Sequence, residues 1–314
     1  MNIDREPEHF CTLFDKNFLP LALTLHQSLM EHARPFHLWV LCMDEVVEEQ
    51  LKSLSVPHVT LIALREIETE DLLSVKQNRT AVEYCWTITP FLPQAVFDRN
   101  GSVDKITYLD ADLYFFADPR ILIREFDQSG KDVLITEHAY APEYDQTPIS
   151  GRFCVQFLTF RRTPGANNVM RWWQQRCLEW CFARPQAGKF GDQKYLDSWP
   201  DLFGENIHIL KQAEKTLAPW NVRHVGGSAA LDPVFYHFHD LRIISPQKVR
   251  MYRGYRIGKK GMRLYEIYMA ALKGTIGKLS ESRVPVATLP KKEKWATLRY
   301  LKRRLTNSVG YAPL

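Results

Sequence analysis

Residues Lys105 to Phe116 read KITYLDADLYFF, with two aspartates, Asp110 and Asp112, at their centre. Residues two apart in an extended segment point the same way, so the two carboxylates can converge on one hard cation. Apolar runs flank them, Ile106 to Leu109 before and Leu113 to Phe116 after. Carboxylates wedged between such runs are costly to bury unpaired, and a divalent metal whose other ligands are diphosphate oxygens meets that demand. An isolated D-x-D after a core strand would read as a polar turn; here the flanks favour metal. A second constellation comes late, in Phe235-Tyr236-His237-Phe238-His239-Asp240. Alternation puts His237 and His239 on one strand face, the same geometry as the aspartates, and imidazole is a common partner of carboxylate around divalent ions. A third is Asp192-Gln193, following the flexible stretch Gly188 to Gly191. Its plain alternative is a helix N-cap, for which Asp is a favoured residue.

The elements that must carry these groups follow from periodicity. Phe10 to Phe14, Phe36 to Cys42 and Val59 to Leu64 read as strands, and Leu19 to His32 and Glu45 to Leu54 as helices between them. Such alternation is the pattern of parallel crossover units. Ligands in open α/β sheets sit at the carboxyl ends of strands, which directs Asp15, Lys16 and Asn17 towards a nucleotide pocket, with a solvated turn as the alternative. Ala81 to Phe97 is a helix that should bend at Pro90 and Pro93. Glu137 to Ser150 is a long polar segment of the kind that forms lids or binding loops. Gly151 to Arg162 is a strand whose Gln156 either faces an acceptor or satisfies a core backbone group, and Ala166 to Phe182 is an aromatic-rich core helix. Ala218 to Asn221 is a turn with Asn221 able to face outward. Neither G-x-G-x-x-G nor G-x-x-x-x-G-K-[ST] occurs, so phosphate chemistry falls to a metal and to side chains.

The segment Tyr-Leu-Asp-Ala-Asp-Leu resembles the D-x-D motif of GT-A fold, nucleotide-sugar-dependent glycosyltransferases, most nearly the family 8-like group that includes bacterial polysaccharide galactosyltransferases. The resemblance implies an α/β fold with a Rossmann-like, mostly parallel central sheet flanked by helices. It implies that Asp110 and Asp112 hold Mn²⁺ or Mg²⁺ against a donor diphosphate. His237 aligns with the metal-binding histidine of a His-x-x-Gly motif, with His239 as the competing ligand. Asp192 and Gln193 match the first two residues of an Asp-Gln-Asp motif at the sugar end of the donor. The first loop of the family meets the nucleoside, which suggests Asp15 and Asn17 as donor contacts. Tyr84 matches a family tyrosine, but Trp86 stands where an arginine reaches the donor, leaving Lys76 and Arg79 as substitutes; Asn221 is a further donor-contact candidate. Other departures are Cys154 for an Asn, Lys194 for the second Asp, Asp240 for the Gly, and a missing Lys-Pro-Trp. The implied activity is transfer of a sugar from a nucleoside-diphosphate sugar, a UDP-sugar favoured, to a glycan or glycolipid in surface polysaccharide synthesis, with retention of configuration. Two alternatives stand beside it: a sugar nucleotidyltransferase, which would carry a Gly-rich basic loop where this chain has DKNFLP, and a catalytically inactive membrane-associated scaffold.

Composition is that of an ordinary globular protein: 314 residues, 45% hydrophobic and 25% charged. The net charge of +5 hides an asymmetry, since residues 248 to 304 hold 17 Lys or Arg against three acids, leaving 24 basic and 33 acidic residues elsewhere. This suggests a catalytic domain over 1–247 and a basic, amphipathic, mainly helical C-terminal extension over 248–314. Within the extension, Lys291 to Leu305 puts Trp295, Leu298, Leu301 and Leu305 on one helical face with bases around them, a pattern suited to an anionic membrane surface. No recognised nucleic-acid motif is present, so nucleic acid is not an expected partner. The charged start of the chain shows no secretory signal, and six scattered cysteines without C-x-x-C spacing read as reduced thiols. The expected location is cytoplasmic, peripheral to the inner face of the membrane.

Overall fold

A computed structural model describes residues 6–225, 231–288, 306 and 308–314. Its centre is a seven-stranded sheet in the order β3-β2-β1-β4-β7-β6-β8. The strands are β1 Glu8–Phe14, β2 Phe36–Cys42, β3 Val59–Ala63, β4 Lys105–Leu109, β6 Val133–Glu137, β7 Phe153–Arg161 and β8 Ile207–Ile209, with β5 Leu113–Phe115 between β4 and β6 in the chain. β3, β2, β1 and β4 are mutually parallel, β6 and β8 are parallel, and β7 runs antiparallel to both β4 and β6. The expected α/β class and mostly parallel sheet are therefore present. β4 is buried from Ile106 to Leu109, as a strand covered by helices on both faces must be.

Helices Leu19–His32 and Glu45–Leu54 occupy the spans read from periodicity. The proline-bearing segment breaks into Ala81–Ile88, a 3₁₀ turn at Thr89–Phe91, and Leu92–Arg99. A proline amide cannot donate to the preceding turn, so the helix restarts where Pro90 and Pro93 stand.

Beyond the large sheet, β5 forms a smaller one with β10 Phe235–His237 and β9 Thr216–Leu217. A third sheet joins β11 Arg242–Ser245, β12 Lys248–Arg253 and β13 Val309–Pro313. The hairpin of β11 and β12 straddles position 247, so antiparallel pairing runs across the boundary suggested by the charge pattern. Helix Gly258–Glu281 packs on helix Leu19–His32, where Thr24 Oγ1 donates to Thr275 Oγ1 at 3.1 Å, and buries Tyr265, Tyr268 and Leu272. Tyr268 stacks on Phe238 at 3.8 Å between ring centroids. The described part of the basic segment is thus packed on the body. The amphipathic helix expected over Lys291 to Leu305 lies outside the described residues. Among the described residues, no helix is long and apolar enough to cross a membrane.

Candidate functional site

Two strand pairings assemble the site. Antiparallel β4 and β7 bring Gln156 alongside the end of β4, where the Asp110 amide donates to the Gln156 carbonyl at 3.1 Å. Antiparallel β5 and β10 set His237 opposite Leu113, and the Phe238 amide donates to the Asp112 carbonyl at 2.9 Å. Asp110, Asp112 and His237 therefore converge, with one ligand atom from each within 4.8 Å of the others. His237 Nε2 lies 3.0 Å from Asp112 Oδ1 and 3.8 Å from Asp110 Oδ2. His237 Nδ1 is 2.8 Å from Gln156 Oε1. An amide oxygen can only accept, so Nδ1 carries the proton and Nε2 faces the carboxylates. Gln156 therefore contacts the imidazole from beneath and not an acceptor or a core backbone group, the kind of contact that orients a histidine ring.

The charges of the cluster are strongly perturbed. Burial pushes the Asp110 carboxyl up to about 6, with Asp112 adding to the shift and His237 opposing it. Burial would raise Asp112 too, but His237 and Arg242 hold it below the usual carboxylate range. For His237, burial disfavours the cation, yet Asp112 and then Asp110 outweigh it and raise the imidazole well above its ordinary value. Two carboxylates and an imidazole nitrogen make a donor set suited to a hard or borderline divalent cation, Mn²⁺ or Mg²⁺, and the orienting Gln156 completes it.

The cluster opens into a cavity of about 490 Å³ that also receives Asp15, Asp192, Gln193 and His239. Asp192 is 5% exposed, and burial followed by the charge of Asp110 pushes its carboxyl up to about 8. Its side chain makes no cap hydrogen bond to the 3₁₀ helix Gln193–Ser198 that it precedes, which removes the N-cap alternative. The aromatic helix Pro164–Glu179 fixes it from behind, since Trp173 Nε1 donates to the Asp192 carbonyl at 2.9 Å. His239 lies beyond the end of β10, exposed, with its ring 5.6 Å from that of His237, and is not one of the three converging groups. Asp15 also accepts from the Asn17 amide at 2.9 Å and from Asn17 Nδ2 at 2.7 Å, which leaves Asn17 exposed at the mouth rather than lining the cavity.

Four expected donor contacts stand elsewhere. Helix Ala81–Ile88 turns Ala81, Val82, Cys85 and Trp86 to the cavity, and helical spacing puts Tyr84 on the other side. There its hydroxyl donates to Glu68 Oε1 at 2.7 Å, and the Lys76 ammonium pairs with the same oxygen at 2.6 Å. Arg79 stacks on Phe182 at 3.8 Å and donates to the Leu178 carbonyl. Asn221 is buried, its Oδ1 accepting from the Ala218 amide at 2.8 Å and its Nδ2 donating to the carbonyls of His138 and Thr216. Its side chain closes the turn instead of meeting a ligand.

The departures from the family motifs have local accounts. Trp86 packs on Phe190 and on Gly191, where an added Cβ would lie 3.2 Å from the indole and φ is +54°. Lys194 donates to the Thr147 carbonyl and to Asp197 Oδ2, both at 2.8 Å, tying the segment after Asp192 to the long loop. Asp240 has φ +61°, a conformation natural to the glycine it replaces and tolerated by Asp. Its two oxygens accept from Arg250 at 2.7 Å and Arg253 at 2.9 Å.

Sequence reasoning passed over Arg242. Its guanidinium lies over Phe18 at 4.5 Å and 3.9 Å from Asp112 Oδ2, and it is the one Lys or Arg lining the cavity among the described residues. The available signal was a single base two residues past the histidine segment, in a short apolar run. Also passed over were His138, Tyr140 and Tyr255, which line the cavity from the far side of Trp220.

No family model matches the chain. It is 32% identical over 257 residues to the uncharacterized protein YfnF of Bacillus subtilis (strain 168), spanning 77% of this chain and 84% of that one. It is 30% identical over 290 residues to the uncharacterized protein YfnD of the same organism, spanning 87% and 91%. Among solved structures, it resembles the galactosyltransferase LgtC in complex with donor and acceptor sugar analogues, with a TM-score of 0.53 at 12% identity over 90% of this chain and 98% of that one. Mouse xyloside xylosyltransferase 1 gives a TM-score of 0.50 at 16% identity over 75% and 98%. These likenesses establish the fold as GT-A.

Proposed function

Because this chain belongs to the family of the Bacillus subtilis proteins YfnF and YfnD and carries the GT-A fold, we propose that it is a glycosyltransferase that moves a sugar from a nucleoside-diphosphate sugar to a glycan or glycolipid. A UDP-sugar is the favoured donor, surface polysaccharide synthesis the favoured setting, and retention of configuration the favoured outcome. The observation that carries this reading is the convergence of Asp110, Asp112 and His237 at the floor of a cavity beside the ends of β1 and β4. These three residues would hold Mn²⁺ or Mg²⁺, which when bound neutralises charge developing on a departing diphosphate. Arg242 adds a fixed positive charge to the same region, held near Asp112 before any ligand arrives. Asp192 and Gln193 line the same cavity and would grip the donor sugar. An attachment to anionic lipid at the inner face of the membrane would rest on Lys291 to Leu305.

The decisive experiment is calorimetric titration of the purified protein with a panel of nucleoside diphosphates, with Mn²⁺ and with chelator, repeated on Asp112→Ala. Metal-dependent binding of one nucleotide, lost in the variant, is the expected result. Absence of binding by every nucleotide overturns the transferase reading and favours the inactive scaffold.

A further inference from the structure

Two of the aromatic groups that line the cavity, Phe18 and the rings around Trp220, are joined through its charged residues. The contacts between them run in series: Phe18 to Arg242 at 4.5 Å, Arg242 to Asp112 at 3.9 Å, Asp112 to His237 at 3.0 Å, and His237 to Trp220 at 5.3 Å between ring centroids. Beyond Trp220 stand Tyr140, at 6.1 Å from the indole, and Tyr255, at 6.4 Å. The charged cluster thus stands between Phe18 with Asp15, at the carboxyl end of β1, and a wall of tyrosines. A donor whose diphosphate meets the charged cluster and whose nucleoside lies towards Asp15 leaves the tyrosine wall for the other substrate.

That wall is built rather than incidental. Trp220 is its buried base, with Nε1 donating to the His138 carbonyl at 2.8 Å. Tyr140 stacks on His138 at 4.5 Å and 12°, and the residue between them, Ala139, has φ +48°. A non-glycine residue in that region is strained, and such strain persists where surrounding structure requires it. Tyr255 is held at 5.1 Å by Tyr144, whose hydroxyl accepts from the Arg256 amide at 2.8 Å. Both tyrosines remain half-buried, while His239 is exposed at the rim and Gln146 and Ser150 also line the cavity. His138 is 3% exposed, and its Nδ1 has no hydrogen-bond partner among the described residues.

We infer that Tyr140 and Tyr255 form the acceptor subsite, and that the group it takes is a pyranose ring of a glycan rather than the alkyl part of a lipid. This rests on the glycosyltransferase reading. A pyranose has apolar C–H faces and a polar rim, and an aromatic ring with a polar tip matches that pattern; an alkyl chain would leave the buried His138 Nδ1 without a partner. One consequence is that the C-terminal segment, through Tyr255, helps to select the acceptor.

The test uses the full chain, saturated with Mg²⁺ and the nucleoside diphosphate it binds, and a panel of methyl hexopyranosides followed by saturation-transfer NMR. Transfer from aromatic protons to the sugar C–H protons is expected, with affinity about five- to tenfold weaker in Tyr140→Ala and Tyr255→Ala and largely kept in the Tyr→Phe variants. Nucleotide binding by each variant, measured in parallel, reports that it has folded. Equal sugar binding by the wild type and both Ala variants overturns the inference and leaves the transferase reading standing. Binding of a short polyprenyl phosphate but of no pyranoside does the same. Failure of the wild type to bind any nucleotide overturns both.

Discussion

Replacing Asp192 by Asn should make the ligand-free protein more stable, and increasingly so as pH rises. The native carboxyl is 5% exposed and has been pushed from 3.8 up to about 8 by burial and then by Asp110. Between those values the native state binds a proton that the unfolded chain has released, so wild-type stability falls as pH rises through that window. Each pH unit is worth about 1.4 kcal/mol, so the window between pH 5 and pH 7 corresponds to about 3 kcal/mol as an upper bound. Asn keeps the shape and a donor–acceptor pair but cannot ionise. The advantage of Asp192→Asn over wild type should therefore grow by about 1.5–3 kcal/mol between pH 5 and pH 7. Urea denaturation in chelator, followed by tryptophan fluorescence at each pH, reads this directly. An advantage that stays constant across the range would refute the reasoning, because it would mean that Asp192 titrates alike in the folded and unfolded chains. If the carboxyl is also what grips the donor sugar, the stabilised variant should have lost transferase activity, an exchange familiar at strained active sites.

Gln156→Leu should weaken Mn²⁺ binding about ten- to hundredfold, because the His237 ring loses the acceptor that orients it; metal titration showing wild-type affinity would discard that role. Arg242→Ala should raise the dissociation constant of the nucleoside diphosphate about tenfold or more at fixed Mn²⁺, as read by calorimetry, since a charge-assisted contact is removed. Lys76→Ala should leave nucleotide affinity within about twofold of wild type, because its ammonium serves Glu68 outside the cavity and an exposed pair contributes little to stability. Ala139→Gly should raise stability by about 0.5–1 kcal/mol, relief of the positive φ outweighing the added chain entropy, and thermal melts at matched buffer would register it.

Local pattern was enough for the elements and for two of the three groups that converge in the cavity. The alternation of apolar runs and amphipathic helices determined the parallel units, and the sharp apolar flanks of Asp110 and Asp112 determined that two carboxylates would meet at a strand end. Pro90 and Pro93 dictated where the helix breaks, because a missing amide proton acts within one turn. His237, Asp192 and Gln193, which the short motifs singled out, all line the cavity. What it could not decide was which face a residue presents once its element is docked. Tyr84 and Trp86 are two positions apart on a helix and so point to different sides; only the packing of Ala81–Ile88 against the sheet turned Trp86 to the cavity and Tyr84 to Glu68. Asn221 has the composition of an exposed turn residue, and only the turn's burial under β6 and β9 made its amide a staple for backbone groups. The choice of His237 over His239 came from the register of β10 on β5, a contact between segments more than a hundred residues apart. The charge run after Lys248 looked like a tail because charge is counted along the chain, whereas Arg250 and Arg253 are partners of Asp240 in space. Sequence fixes what a residue can do within its own turn or strand; docking of distant segments, driven by burial of their apolar faces, decides which groups meet.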